Sequence, residues 1–236
     1  MIRVVPAPEP PEFDNNVRRP GHRSVYEMCG QTPPVAHRRA GGPAFKQRTR
    51  PDPEDRARTV PITRPEELPP SALHECWREA IPDLRKAYGH LCAYSAVRII
   101  AECDATVDHM VPKAKDWRLA YEWSNLRLSL PRFNACKGDH CDVIDPFEVQ
   151  EGWFAVELVT GTILPGEAAR QDPELRARVE STVRRLQLNG GELPEARLER
   201  IRQYRAEEVR LAYFERHSPF LAAELRRQGR LNPGDT

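Results

Sequence analysis

An α+β fold is predicted for this 236-residue chain, and three observations predict it. Short β-prone runs cluster in the middle, apolar residues recur at helical spacing in the last third, and 14 of the 23 prolines fall in the first 70 residues. The chain divides accordingly into an irregular proline-rich arm over 1–70, a core over 71–149 with short helices before it, and a β-hairpin with C-terminal helices over 150–236.

In the arm, Pro-Pro pairs, Gly41-Gly42 and mixed charges replace any sustained apolar period. Sparse anchors such as Phe13, Val25, Tyr26 and Phe45 can dock without forming secondary structure, so the arm either wraps the core or stays mobile. Ser71 can N-cap a helix with Leu73, Trp77, Ala80 and Ile81 on one face, which Pro82 interrupts before a second turn runs from Asp83 toward Tyr88. Val97 to Ala101 and Ala105 to Met110 read as a hairpin turning at Glu102-Cys103-Asp104, with His109 delivered at the strand end. Leu126 to Leu130 is the next strand, and Pro131 suits the first turn of a short helix carrying Asn134 and Lys137. Trp153 to Val159 alternates, Gly161 supplies a turn and Thr162 to Leu164 returns. Two amphipathic helices follow, one with Leu175, Val179, Val183 and Leu186 after Asp172-Pro173, the other with Leu198, Ile201, Val209 and Ala212 after Pro194.

A net charge of +1 does not announce a polyanionic partner, so any attraction to phosphate must come from local clusters. No apolar stretch is long enough for a bilayer, and Met1-Ile-Arg-Val-Val-Pro lacks the features of a signal peptide, so no membrane partner and a cytoplasmic location are expected. Six irregularly spaced cysteines in a chain of this size agree with reduced thiols.

The chemistry concentrates where Asp108-His109 ends an apolar run and Asn125, Asn134 and Lys137 follow. Cutting a phosphodiester needs an aligned nucleophile, charge stabilisation on the phosphoryl oxygens and help for the leaving 3′ oxygen. His109, with an ordinary pKa of about 6.5, can take a proton from water at neutral pH; its plain alternative is a satisfied polar residue at a strand end. Asp108 and Asn134 offer hard oxygens suited to Mg²⁺ or Mn²⁺, or else serve as a turn acid and a helix-end hydrogen bonder. Lys137 shares a helical face with Asn134 and is either a phosphate contact or an exposed lysine.

The segments Asp108-His-Met-Val-Pro112, Trp123-Ser-Asn125 and Asn134-Ala-Cys-Lys137 together resemble the HNH, or ββα-metal, endonuclease motif in its HNN variant, over roughly Cys92 to Gly138. The resemblance implies a ββα-metal core, with His109 as general base, Asn125 bracing the base's loop, and Asp108 and Asn134 holding one Mg²⁺ or Mn²⁺. It also implies a bend at the end of the first strand, because adjacent strand residues face opposite ways. Products would carry 5′-phosphate and 3′-hydroxyl ends.

Many members staple the motif with two Cys-x-x-Cys pairs on zinc. Here Cys92-Ala-Tyr-Ser95 and Ser129-Leu-Pro-Arg132 stand instead, so no four-thiolate zinc site is expected. Cys103, Cys136, His140 and Cys141 read as shielded or loop groups rather than as another metal site. Tyr121 and Trp123 are expected to pack the loop rather than stack on bases. The basic side formed by Arg176, Arg178, Arg184 and Arg185 is diluted by Glu167, Glu174 and Glu180 and reads as a solvated face. The layout is similar to small HNH proteins of bacterial antiphage systems of the Septu and retron types, which work beside an SMC-like or AAA-type ATPase. DNA is favoured over RNA as substrate, and the rival reading is an inactive HNH module that binds nucleic acid or such an ATPase. No helix-turn-helix, zinc finger or long basic helix supports a restriction or homing enzyme with its own sequence reader.

Overall fold

The computed structural model describes residues 1–38 and 43–235; Gly41-Gly42 lies outside the described residues. The protein is α+β, with eight α-helices and three two-stranded sheets among the described residues. It divides into two compact units, the first formed by Met1–Ala7, Arg85–Thr106 and Leu128–Thr236, the second by Pro8–Leu84 and Val107–Arg127.

The second unit contains a helix where an irregular arm was expected. A π-turn over Asp14–Arg18 leads into α1, Arg19–Met28. Phe13, Val17, Gly21, Ser24, Val25 and Met28 are buried, a stripe at helical spacing. Pro20 and Gly21 mask that stripe in the sequence because both depress helix propensity; Pro20 is the second residue of α1, directly after the π-turn. Gly21 answers to packing: a Cβ there would meet three carbons of the Tyr121 ring within 3.0 Å, and Tyr121 is 0% exposed.

Farther along, β1 (Thr49–Pro51) and β2 (Thr59–Pro61) pair antiparallel with Arg50 opposite Val60. The helix expected from Ser71 is replaced by 3-10 turns over Pro70–Ala72 and Cys76–Ala80, and regular helix begins only at α2, Ile81–Ala87. Pro69 holds the backbone extended (φ −65°, ψ 144°), so Ser71 falls inside a tight turn rather than at a cap. Pro82, expected as a breaker, is accommodated in the first turn of α2. Leu73, Trp77 and Ala80 are nevertheless buried as expected.

The hairpin expected over 97–110 does not form. In the first unit Leu91 and Arg98 make one isolated bridge, while Arg98 N donates to His217 O at 3.0 Å and Ile99 N to His90 O at 2.8 Å, so these backbone groups serve other partners. Glu102–Asp104 is a 3-10 turn, and β3 (Thr106–His109) pairs with β4 (Leu126–Ser129) instead. Helix α3, Pro131–Lys137, follows β4 directly with Pro131 in its first turn, as expected.

The later hairpin is shorter than expected: β5 (Phe154–Val156) and β6 (Ile163–Pro165) pair antiparallel, Ala155 opposite Leu164. Helix α4 covers Glu167–Gln171, and α5 covers Pro173–Arg185, capped by Asp172 Oδ1, which accepts from Glu174 N at 3.0 Å and Leu175 N at 3.1 Å. The last expected helix stops early. Helix α6 ends at Arg205, Glu207 turns left-handed (φ 58°), and α7 (Leu211–His217) and α8 (Pro219–Arg227) follow. Val179, Leu186, Ile201, Tyr204, Phe214, Leu221 and Leu225 form the buried faces of these helices, and the Tyr204 and Phe214 rings stack at 5.0 Å.

Candidate active site

His109 is the last residue of β3 and is 7% exposed. Its Nε2 lies 2.9 Å from Ala120 O. A carbonyl oxygen only accepts, so Nε2 carries the proton and the lone pair of the neutral ring falls on Nδ1. The ring meets the Trp77 indole edge-on, centroids 4.9 Å apart at 87°. The backbone stays in strand geometry through His109 and bends only at Met110 and Val111, so the bend that the resemblance implies at Asp108-His109 is not found there. Asp108 is 2% exposed.

Asn125 ties the same loop shut. Its Oδ1 accepts from Val111 N at 2.7 Å, and its Nδ2 donates to Val111 O and Leu119 O, each at 3.0 Å. Met110 N donates to Asn125 O at 2.8 Å, which carries the strand pairing one step past His109. The side chain therefore bonds both ends of the 111–119 loop, a bracing geometry. Tyr121 and Trp123 are buried; the Phe13 ring meets Trp123 edge-on at 5.5 Å, and Trp77 lies 5.7 Å from Tyr121, so both aromatics pack the unit.

Lys113 was not singled out by sequence reasoning, whose only available signal was its place four residues after His109. Its Nζ stands 4.1 Å over the Trp77 ring, a cation–π contact. Burial pushes the ammonium below its ordinary pKa, while the Glu75 and Asp108 carboxylates favour its charged form.

In the first unit, Asn134 and Lys137 lie on α3. Asn134 Nδ2 donates to Thr106 Oγ1 at 3.3 Å. Lys137 is 0% exposed, which overturns the exposed-lysine alternative: with Phe133 it belongs to the inward side of α3. As donor types, the Asp108 carboxylate and the Asn134 amide oxygen fit Mg²⁺ or Mn²⁺, which take hard oxygens and retain water. Among the described residues no group of three or more His, Cys, Asp or Glu side chains is placed to share a metal ion.

Three of the four arginines on the basic side of α5 are ion-paired, and Arg184 donates to Ser181 Oγ at 3.4 Å. Arg176 meets Glu180 at 2.8 Å, Arg178 meets Glu148 at 3.4 Å and Arg185 meets Asp142 at 3.1 Å. The six cysteines are free thiols, with Cys29, Cys76 and Cys92 buried and Cys103 and Cys141 exposed. No helix among the described residues is long and apolar enough to cross a membrane. No protein-family model matches the chain, and no curated protein matches it in sequence.

Proposed function

We propose that this chain is a metal-dependent HNH endonuclease of the HNN variant that hydrolyses nucleic-acid phosphodiesters, DNA in preference to RNA. In the same reading it is the nuclease component of a bacterial antiphage system and works beside an SMC-like or AAA-type ATPase. The observation that carries the reading is the His109 ring bonded through Nε2 to Ala120 O, on a loop that Asn125 clamps. That bond leaves the basic lone pair on Nδ1, the arrangement a general base needs.

In this reading β3, β4 and α3 make the ββα unit, and Asp108 and Asn134 hold one Mg²⁺ or Mn²⁺. Such an ion, when bound, stabilises the charge that develops on the departing 3′ oxygen. His109 takes the proton of the attacking water at Nδ1, Asn125 keeps the loop and ring in place, and Lys137 adds a buried positive charge from α3. Attack of water on phosphorus leaves 5′-phosphate and 3′-hydroxyl ends.

One observation favours the rival, an inactive module that binds nucleic acid or a partner ATPase: Asp108, His109 and Lys137 are 2%, 7% and 0% exposed. Plasmid nicking with Mg²⁺ or Mn²⁺, with and without the candidate ATPase, separates the two. The wild type is expected to nick, alone or with that partner, and His109→Ala and Asn134→Ala to abolish it. Nicking that survives in both variants refutes the assignment, and silence of the wild type under every condition favours the inactive module.

A further inference from the structure

Two guanidiniums of the first unit, Arg132 and Arg197, hold one loop without a carboxylate, and Arg200 lies near enough to act on the charge of Arg197. Arg197, on α6, is 7% exposed; its Nη1 donates to Gly161 O at 2.8 Å and to Asn189 Oδ1 at 3.4 Å, and its Nη2 donates to Leu188 O. Arg132, the second residue of α3, donates from Nη2 to Gly190 O at 2.7 Å. Arg132 and Arg197 thus grip carbonyls two residues apart in the chain. Gly190 eases that approach, since a Cβ on it would lie 3.2 Å from the Arg132 guanidinium. Arg200, three residues along α6 from Arg197, is half-buried and donates to Ala196 O at 3.0 Å.

Three oxygens accept from buried Arg197, and one carbonyl each from exposed Arg132 and half-buried Arg200, but none of these acceptors offsets a charge. None of the three arginines forms an ion pair among the described residues, although Glu192 and Glu195 are close in sequence. The contrast with α5 is direct, where Arg176, Arg178 and Arg185 each meet a carboxylate. Burial first, then the charges of Arg200 and Arg132, push Arg197 down to about 10, and no acidic group opposes them. Uncompensated buried charge is costly, and an anion from outside the chain relieves it. Planar guanidinium forks match phosphate oxygens well.

We propose that Arg132, Arg197 and Arg200 form a phosphate-binding site that holds the backbone of a nucleic-acid strand. Arg132 precedes Asn134 by two residues on α3, which is about 3 Å along the helix axis. Residues two apart on a helix do not face each other, so the cluster is a surface separate from the Asn134 side of α3. The choice of a nucleic acid as ligand rests on the nuclease reading, whereas the charge imbalance does not.

The test is fluorescence anisotropy of a labelled short DNA, single-stranded and duplex, bound by the full-length protein in EDTA over a range of salt. Arg132→Gln/Arg200→Gln, which spares the loop-holding Arg197, is expected to weaken binding about tenfold or more and to flatten the log–log salt slope by about 2, near 0.9 per lost phosphate contact. Arg132→Lys/Arg200→Lys keeps the charge and is expected to keep most of that slope. Arg176→Gln, at an ion-paired position, is the control and is expected to change neither. Unchanged affinity and slope in the double glutamine variant, an equal loss in the control, or no binding by the wild type overturns the proposal. Omitting metal keeps the two readings separable: a chain that binds through the cluster yet never nicks refutes the nuclease reading alone. One that nicks but binds equally well without the cluster refutes this site alone.

Discussion

Asn125 offers the sharpest test of the loop architecture. Asn125→Ala removes three hydrogen bonds, to Val111 N, Val111 O and Leu119 O, from a side chain 5% exposed. Each such bond contributes about 0.5–1.5 kcal/mol net, and a shielded partner left unpaired costs about 1–3 kcal/mol more. Val111 is 37% exposed, so water can replace its two bonds, and the larger penalty applies chiefly at Leu119 O. The expected loss is therefore about 3 kcal/mol. Asn125→Asp is the discriminating variant. It conserves shape and retains the Val111 N–H bond, but turns a carboxylate oxygen toward two carbonyl oxygens, so it is expected to cost at least as much as alanine. Urea unfolding measures both variants, and amide exchange at Val111 is expected to be faster in them than in the wild type. A cost below about 0.5 kcal/mol for alanine, the range of ordinary surface changes, or tolerance of aspartate, refutes the clamp.

Two further predictions concern packing and charge. Gly21→Ala gains up to about 1 kcal/mol of helix propensity, but its Cβ collides with the buried Tyr121 ring, an overpacking cost of about 1–3 kcal/mol, so the melting temperature should fall and should recover when Tyr121→Leu is added; a rise in the single variant refutes the close approach. Glu224, 5% exposed on α8, accepts from Val156 N at 2.9 Å and from Arg227 Nε at 2.8 Å. Burial alone would raise its pKa, yet Arg227 and the Val156 N–H hold it below the usual carboxylate range. A folded pKa below the unfolded one means that the stabilisation is present above the unfolded value, about 4.3, and is lost as pH falls through the folded one. Melting temperatures are thus expected to drop more steeply below about pH 4 in the wild type than in Glu224→Gln, and parallel curves contradict this.

What the sequence made legible was local. Asp172-Pro173 marks the start of α5 because cap and first turn lie within four residues, and Pro131 marks α3 for the same reason. The bracing role expected of Asn125 agrees with its bonds to Val111 and Leu119, and Tyr121 and Trp123 pack as expected. What failed depended on distant partners. Val97 to Ala101 has strand-like residues, yet its backbone bonds go to His90 and His217, and β3 finds β4 rather than its sequence neighbour. The helix through α1 was hidden by Pro20 and Gly21, whose cost is outweighed by burial against a ring a hundred residues away. The arginine cluster was equally invisible, since a sequence shows which charges exist but not which of them lack a counter-charge.

The second unit joins Pro8–Leu84 to Val107–Arg127, so the segment carrying His109 and Asn125 folds with most of the proline-rich arm and the turns that follow it. Trp77 supports the His109 ring, Gly21 accommodates Tyr121, and Phe13 packs on Trp123. The segment over 107–127 is consequently not self-contained. A graft of residues 92–138 onto another scaffold would carry every signature residue and arrive without the surfaces that shape its loop. Redesign must move the arm with it.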